Sequence, residues 1–345
     1  MLASYVVSNP VALPGFVNSH SHAFQRALRG RAAGTDFWTW REGMLEEADR
    51  ATPATVRAHY AEVYREMLAA GYTAVGEFHY LGAPEAFAAA EAAADAGIAI
   101  VLLHVAYERG GLERMRQPSV AAYLGEVESL RTAGIAVGLA PHSVRACSRD
   151  WLEEIGRYSE SEGLPLHIHA DEQPREIQEC LEEHDCRPIE LLADAGCLTS
   201  RTTIVHATHA SDEELDLLAA TGARICACPT TEADLGDGFL RVEAVRERSI
   251  PMCIGSDSNM RIDPLEELRE IEGIARRQTG RRGILSTSEL LEIGAGEGAR
   301  ALHLEEWAPI EIDVDHRSLA GVATEHVPAA LIAGCAADVV TTGER

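Results

Sequence analysis

The stretch FVNSHSH at residues 16–22 decides how this chain folds, because its apolar start and its two histidines indicate a buried strand that ends in reactive side chains. Side chains two positions apart point to the same side of a strand, so the imidazoles of His20 and His22 can bind one metal ion. A His-x-His pair alone is a weak indication, and a structural strand is the commoner explanation. Further ligands must therefore come from the rest of the chain.

Size and composition are typical of a large globular enzyme. The 345 residues are 46% hydrophobic and 25% charged, which suits one large α/β barrel with additional elements. The net charge of −25 disfavours nucleic acid as a partner. Without a long apolar run or a basic leader region, we expect neither a membrane span nor a secretory signal. The eight scattered cysteines favour reduced thiols in a cytoplasm.

Apolar runs alternate with helical patterns along most of the chain. Such an alternation predicts a parallel sheet closed into a (β/α)8 barrel, with strands covered on both faces. A loop that contains Phe37, Trp38 and Trp40 is expected after the first strand. The predicted strands span residues 16–20, 73–78, 98–105, 135–140, 166–170, 202–206, 223–228 and 251–256. The predicted helices span residues 53–70, 84–96, 119–133, 149–162, 212–220 and 264–277, and further helical stretches are predicted within residues 174–195.

The pattern changes after Leu302, where short strands at residues 310–314 and 337–342 are predicted outside the barrel. We therefore expect three parts in the chain. Residues 1–13 would be an N-terminal remnant of a small β domain, residues 14–303 a metal-dependent hydrolase barrel, and residues 304–345 the C-terminal strands of the small domain.

Five metal-binding side chains stand at the predicted carboxyl ends of strands, where barrel enzymes have their active sites. Imidazole and carboxylate ligands suit Zn²⁺ or a similar divalent ion. Each residue alone could be structural, as a hydrogen-bonded histidine or a helix cap. The joint pattern, in barrel order, is much harder to obtain by chance. The five residues are His20, His22, His169, His206 and Asp257.

Glu172 follows His169 by three residues and can face the same cavity, where a carboxylate could carry a proton to or from an activated water. It could equally be a charge in the first turn of a helix, and we interpret His167 as strand packing. The chain contains no lysine, so a carbamylated lysine cannot bridge two metals. A single ion is therefore favoured, which leaves His206 free to act as a base or an orienting group.

Four stretches carry a resemblance to a known family. The sequence resembles the amidohydrolase superfamily in its mononuclear deaminase branch and, more narrowly, the formimidoylglutamate deiminases of histidine degradation. The likeness runs from about Pro14 to near the C-terminus, and it implies a (β/α)8 TIM-type barrel with a reduced small β-sandwich part from the chain ends. The stretches are PGFVNSHSHAFQRA at 14–27, PHSVRA at 141–146, CPTTEADLGDG at 228–238, and IGSDS at 254–258 with EELR at 266–269.

The resemblance also implies an activity, namely deimination of N-formimidoyl-L-glutamate to N-formyl-L-glutamate and ammonia by a homodimer. One Zn²⁺ per subunit, or Fe²⁺ or another divalent ion, would be held by His20, His22, His169 and Asp257. Glu172, His206 and Asp257 would transfer protons. Substrate contacts would come from Gln25, Tyr80, His142 and Arg145.

The chemistry of the predicted substrate contacts agrees with this implication. An arginine can pair in a bidentate way with a carboxylate of a dianionic substrate, and His142 and Arg145 leave one strand three residues apart. From the residues alone, Arg145 could also be a surface charge, Gln25 the start of a helix and Tyr80 loop packing. Two other functions stay open: a deaminase of a heterocyclic base or a related formimidoyl amino acid, and a non-catalytic metal-binding protein. A neutral base would not need Arg145.

Two positions depart from the family pattern. Asp234 stands where Asn is expected, and Asn259 stands where His is common. We expect both near the mouth of the cavity, where they could alter the choice of substrate.

Overall fold

The computed structural model describes residues 11–31 and 37–341 of the chain. Eight parallel strands, β2 to β9, form one sheet in sequence order, and β1, β10 and β11 form a small antiparallel sheet. The predicted TIM-type barrel with a small sheet is therefore confirmed. The strands are β1 (Val11–Pro14), β2 (Phe16–Ser21), β3 (Tyr72–His79), β4 (Ala99–Ala106), β5 (Val137–Pro141), β6 (Leu166–Ala170), β7 (Thr202–His206), β8 (Arg224–Ala227), β9 (Met252–Ile254), β10 (Pro309–Ile312) and β11 (Val340–Thr341).

Helices follow the barrel strands and cover the outside of the sheet. No helix among the described residues is long and apolar enough to cross a bilayer. The helices are α1 (Phe37–Arg50), α2 (Pro53–Ala69), α3 (Ala83–Ala96), α4 (Val120–Thr132), α5 (Arg149–Glu162), α6 (Pro174–His184), α7 (Pro188–Asp194), α8 (Asp212–Thr221), α9 (Pro229–Leu235), α10 (Val242–Glu247), α11 (Pro264–Thr279), α12 (Thr287–Gly294), α13 (Gly296–Ala301) and α14 (Val327–Gly334).

Local sequence signals explain where several helices begin and end. Thr52 precedes α2, and its side chain accepts a hydrogen bond from the backbone N–H of Thr55. Gly97 and Gly163 follow α3 and α5 with φ angles of 84° and 67°, a left-handed conformation that costs glycine little. These signals are visible in the sequence, which is why the predicted bounds of these helices lie within a residue of the observed ones.

The predicted loop around Phe37, Trp38 and Trp40 is wrong, because the structure forms α1 (Phe37–Arg50) there. Trp40, Met44 and Ala48 are buried at intervals of four residues, so one face of the helix packs on the barrel. This spacing was present in the sequence, but the aromatic cluster at the start of the helix obscured it.

The small sheet joins the two ends of the chain. β1 pairs antiparallel with β10, which in turn pairs with β11. The second predicted strand, at residues 337–342, is mostly wrong, because Ala337–Val339 form a 3-10 turn and only Val340–Thr341 pair as a strand. Residue 342 lies outside the described residues, as do residues 1–10 of the predicted N-terminal remnant. The proposed domain boundaries stay a prediction.

The seam between the first and last barrel strands brings distant residues together. The backbone N–H of His22 donates to the carbonyl of Asp257 over 2.8 Å, and the N–H of Asp257 donates to the carbonyl of His20 over 3.0 Å. Beside these bonds, Asn18 pairs through its side-chain amide with the backbone and hydroxyl of Ser256. The seam therefore places two predicted ligands of β2 next to the one that follows β9.

Asn259 belongs to this seam rather than to the cavity mouth. Its side chain is fully buried, donates to the Ser21 hydroxyl over 3.1 Å and accepts from the Ser256 hydroxyl over 2.6 Å. The expectation that Asn259 lies near the mouth is wrong, and its role here is to tie β2 to the segment after β9.

Gly255→Ala is expected to weaken the seam. A Cβ at this position would lie 2.7 Å from the carbonyl oxygen of His20, so the strands would have to separate. We expect a loss of about 1–3 kcal/mol in the free energy of unfolding, together with weaker retention of metal. Urea unfolding and metal analysis measure both.

Gly125→Ala in α4 is the matched control for this prediction, because a Cβ there would meet no atom within 4 Å. It should stabilise the protein by about 0.5–1 kcal/mol. Equal stability of the Gly255→Ala variant and the parent would contradict the described close approach of the strands.

Candidate metal centre and its cavity

Four predicted ligands meet at the carboxyl ends of strands β2, β6 and β9. The Nε2 atom of His20 lies 3.2 Å from Nε2 of His22 and 3.1 Å from Nε2 of His169. Oδ1 of Asp257 lies 3.4 Å and 3.3 Å from the Nε2 atoms of His20 and His22. All four side chains are buried. The structure thus brings together the complete ligand set that the sequence predicted.

The protonation of these histidines fits a metal centre. Nδ1 of His22 lies 3.0 Å from the carbonyl of Phe78, and Nδ1 of His169 lies 3.0 Å from the carbonyl of His142. A carbonyl only accepts, so both Nδ1 atoms carry the proton and both Nε2 atoms offer a lone pair to the cluster. Burial lowers the pKa of His20, His22 and His169, which keeps the three rings neutral.

The spacing of the ligand atoms also fits a small divalent ion. Two ligands bound tetrahedrally to Zn²⁺ at about 2.0–2.1 Å are separated by about 3.3 Å. The four separations given above range from 3.1 to 3.4 Å. Several acceptor atoms converge here in a buried site, an arrangement that is unfavourable unless a cation lies among them.

Glu77 fixes the turn that carries the first two ligands. Its carboxylate accepts hydrogen bonds from the backbone N–H of Ala23 over 2.8 Å and from the hydroxyl of Ser21 over 2.9 Å. Burial raises the pKa of Glu77 to about 8, although these hydrogen bonds oppose the rise. Sequence analysis missed Glu77, since nothing in the β3 pattern shows that its side chain reaches the end of β2.

Two of the predicted proton-transfer residues, Glu172 and His206, lie beside the third, Asp257, which also belongs to the ligand set. Nε2 of His206 is 3.7 Å from Oε1 of Glu172 and 3.9 Å from Oδ2 of Asp257. Burial raises the pKa of Glu172, while His206 and Arg145 lower it. Burial is the largest single influence on the pKa of His206 and lowers it, but Glu172, Glu232 and Asp257 together outweigh burial, and the net shift is well upward. A carboxyl group and an imidazole that share one proton can both donate and accept.

Glu232 orients His206 from behind. Its Oε1 atom lies 3.4 Å from Nδ1 of His206 and accepts the backbone N–H of Cys228 over 3.0 Å. This contact directs Nε2 of His206 towards Glu172 and Asp257. Glu232 lies in the stretch that carries the resemblance, but the sequence did not indicate this contact.

The interpretation of His167 as a residue of strand packing agrees with its contact in the structure, where its Nε2 atom lies 3.0 Å from the carbonyl of Ala301.

Backbone strain concentrates at this end of the barrel. His206, Asp257 and Asp171 have φ angles of 75°, 45° and 56°, in the left-handed region that non-glycine residues rarely adopt. Such strain persists where the surrounding structure imposes it, and it is common at active sites.

A cavity opens above the ligand set and contains all four predicted substrate contacts. It encloses about 690 Å³ of space, a volume that includes the open solvent at its mouth. Gln25 and Tyr80 are buried in its wall, where the Gln25 side-chain amide donates to the Tyr80 hydroxyl over 3.0 Å. Gln25, Tyr80, His142 and Arg145 all line it, as do Glu172, His206 and Asp257.

Arg145 is the principal positive charge on the β5 side of the cavity. Its Nε atom lies 3.6 Å from Oε1 of the fully buried Glu176 and has no hydrogen-bond partner among the described residues. Burial lowers the pKa of His142 well below its usual range, and Arg145 and Arg41 lower it further, so this ring is neutral. Arg145 therefore keeps donor groups that can bind an anionic ligand.

Helix α1 supplies residues to the cavity that the sequence analysis missed. Trp40, Arg41 and Met44 line the side of the cavity next to the buried wall. Arg114 anchors the end of this helix, because its guanidinium donates to the carbonyls of Ala48 and Asp49 in the last turn and to the carbonyl of Ala51 just beyond it. Predicting a loop here removed Arg41 from consideration.

Comparison with known proteins shows independently which family the chain resembles. A family model described as the amidohydrolase family matches residues 11–308. A formimidoylglutamate deiminase from Pseudomonas aeruginosa is 36% identical over 310 residues, which cover 82% of this chain and 68% of that protein. A 5-methylthioadenosine/S-adenosylhomocysteine deaminase from Halobacterium salinarum is 29% identical over 306 residues, which cover 85% of this chain and 68% of that protein.

A solved structure matches nearly the whole fold. An adenosine deaminase from Xanthomonas campestris, with bound zinc, superposes with a TM-score of 0.87 over 96% of this chain and 78% of that one. The two sequences are 23% identical, so this match supports the fold alone.

Proposed function

The chain belongs to the amidohydrolase family, and from that premise we propose that it hydrolyses N-formimidoyl-L-glutamate to N-formyl-L-glutamate and ammonia. We further propose that this reaction serves histidine degradation. The observation that carries the proposal is the placement of Arg145 and Arg41 around a cavity that also contains Glu172 and His206. A substrate with two carboxylates and one amidine matches a cavity that is lined both by cationic side chains and by a proton-transfer set.

The predicted metal fits the residues that the structure brings together. His20, His22, His169 and Asp257 would hold one ion, for which we propose Zn²⁺. When bound, such an ion supplies Lewis acidity that lowers the pKa of water towards about 7 and so prepares it to attack the amidine carbon.

The residues beside the metal centre would carry the protons of the reaction. His206 and Asp257 accept a proton from the attacking water, because Nε2 of His206 and Oδ2 of Asp257 face each other across 3.9 Å. Glu172, 3.7 Å from the same imidazole, then delivers a proton to the departing nitrogen. As the C–N bond breaks, the second proton of the water, now on the added hydroxyl group, passes through the same residues to the nitrogen, so that the nitrogen leaves as ammonia and the water oxygen stays as the formyl oxygen.

The other cavity residues would position the substrate. We propose that Arg145 binds one carboxylate through its unpaired donors, and that Arg41 binds the other from α1. Oε1 of Gln25 is buried without a hydrogen-bond partner, so it can accept a hydrogen bond from the amidine N–H. The neutral ring of His142 packs against Tyr107 and Tyr80 and would limit how the substrate can turn.

A deaminase of a heterocyclic base is the second candidate. The aromatic side chains of Trp40, Tyr80 and Tyr107 could stack on a base, and the Halobacterium salinarum relative is named for a nucleoside-type substrate. Arg41 and Arg145, which both line the cavity, favour the dianionic substrate instead. A non-catalytic metal-binding protein would be a third reading, but the proton-transfer set is complete.

A substrate panel tests the proposal. The zinc-loaded protein should release ammonia from N-formimidoyl-L-glutamate at least about 100-fold more efficiently than from methylthioadenosine, since two lost carboxylate contacts cost several kcal/mol. A preference for methylthioadenosine would support the second candidate. Stoichiometric metal binding with no ammonia from any member of the panel would support the third.

A further inference from the structure

The two carboxylate oxygens of Asp257 face two different groups of donor atoms. Oδ1 lies 3.4 Å and 3.3 Å from the Nε2 atoms of His20 and His22 in the metal centre described above. Oδ2 points the other way and lies 3.9 Å from Nε2 of His206. A carboxylate with this orientation can bind one cation on each oxygen.

A buried thiol completes the second group of donors. The ligand atoms of His206, Cys228 and Asp257 all lie within 4.8 Å of one another, and the three side chains are buried. Cys228 follows β8, whereas His206 ends β7, so the barrel itself brings the thiol and the imidazole together. Thiolate and imidazole donors select soft or borderline divalent cations.

We propose that His206, Cys228 and Asp257 form a second, inhibitory cation site for soft or borderline ions such as Cd²⁺ or excess Zn²⁺. Asp257 bridges the two sites, with Oδ1 on the first ion and Oδ2 on the second. The Cys228 thiol releases one proton to solvent as its sulfur binds the cation. No lysine is needed for this bridge, so the single-ion argument from the sequence does not exclude it.

The neighbouring residues support the second site. Glu232 faces Nδ1 of His206 at 3.4 Å, which leaves Nε2 of the same ring directed at Asp257. Glu172 Oε1, 3.7 Å from that Nε2 atom, offers a fourth donor on the cavity side. Bonds of about 2.0–2.3 Å require donors less than about 4 Å apart. The three ligand atoms lie within 4.8 Å of one another, so shifts of about 1 Å among these side chains bring them into binding range.

Occupation of this site would stop catalysis whatever the substrate is. The second ion takes the lone pair of His206 and the free oxygen of Asp257, the two groups that accept the proton of water. The protein should therefore be active with one equivalent of metal and inhibited by a second.

Cadmium titration of the metal-free protein tests the site without relying on turnover. We expect two equivalents to bind, with a thiolate-to-cadmium absorption band in the ultraviolet that grows with the second equivalent only. Cys228→Ser should abolish the band and weaken the second equivalent by at least about tenfold, while the first equivalent still binds. Cys186→Ser, which removes the one half-buried thiol among the eight cysteines, is the matched control and should keep the band.

Other outcomes would overturn the proposal. A wild-type protein that binds a single equivalent, a second equivalent that Cys228→Ser retains, or a band that disappears in Cys186→Ser would each contradict it. Should Cys228→Ser fail to fold, cadmium-edge X-ray absorption of the wild-type protein decides instead. Two bound ions should then share one sulfur ligand, and the absence of sulfur would refute the site.

Discussion

Glu172→Gln is expected to leave the metal bound and to lower turnover by about 10²–10⁴-fold, the usual contribution of a general acid–base group. The glutamine keeps the shape of the side chain but cannot carry a proton between water and the departing nitrogen. Glu172 lies near His206 and is not one of the four residues His20, His22, His169 and Asp257 that form the metal centre. The ion should therefore stay bound. Ammonia release and metal analysis of the same sample measure both effects.

Glu182→Gln is the matched control for this variant, because Glu182 is exposed on α6 and its only described contact is with Gln178. It should have parental activity. If Glu172→Gln also kept full activity, the proposed proton transfer by Glu172 would be wrong.

Arg145→Gln is expected to lower kcat/KM for N-formimidoyl-L-glutamate by about 30-fold or more, since a lost buried ion pair with a ligand costs about 2–5 kcal/mol. The effect should appear mainly in KM, because the carboxylate that Arg145 is proposed to bind takes no part in the bond that is broken. For a related formimidoyl amino acid that has one carboxylate, the same substitution should lower kcat/KM by a smaller factor.

The same substitution leaves the buried Glu176 without its counter-charge, which by itself costs about 3–5 kcal/mol of stability. A double variant, Arg145→Gln with Glu176→Gln, separates the two effects. It should recover stability in urea unfolding and still have the high KM. If restored stability also restored KM, Arg145 would have a structural role only.

Much of the barrel could be predicted, because each strand leaves a local signal. Short apolar runs such as residues 166–170 and 202–206 match strands β6 and β7 without error, since both faces of those strands are covered. Helix α1 was missed because its buried spacing starts inside an aromatic cluster. The length of β11 was overestimated, because a strand of two residues leaves almost no pattern in the sequence.

The ligand set could be predicted for a different reason. In a parallel barrel all strand ends meet on one rim, so residues as distant as His20 and Asp257 become neighbours by topology alone. Contacts that depend on how side chains reach across the rim could not be predicted. Glu77, Glu232 and Arg41 are of this kind, and each became visible only in three dimensions.

The roles assigned to the individual site residues, the domain boundaries and the homodimer stay predictions. The fold and the family are established on separate grounds, namely the eight-stranded sheet and the match over residues 11–308.

The seam between β2 and β9 has a thermodynamic consequence. The strand order starts at β2 and ends at β9, and the ligands stand on both sides of this junction, with His20 and His22 on one and Asp257 on the other. A bound ion would thus cross-link the first and last strands of the barrel. Loading the ion and closing the cylinder become a single linked equilibrium, so the affinity for metal is also part of the energy that keeps the molecule folded.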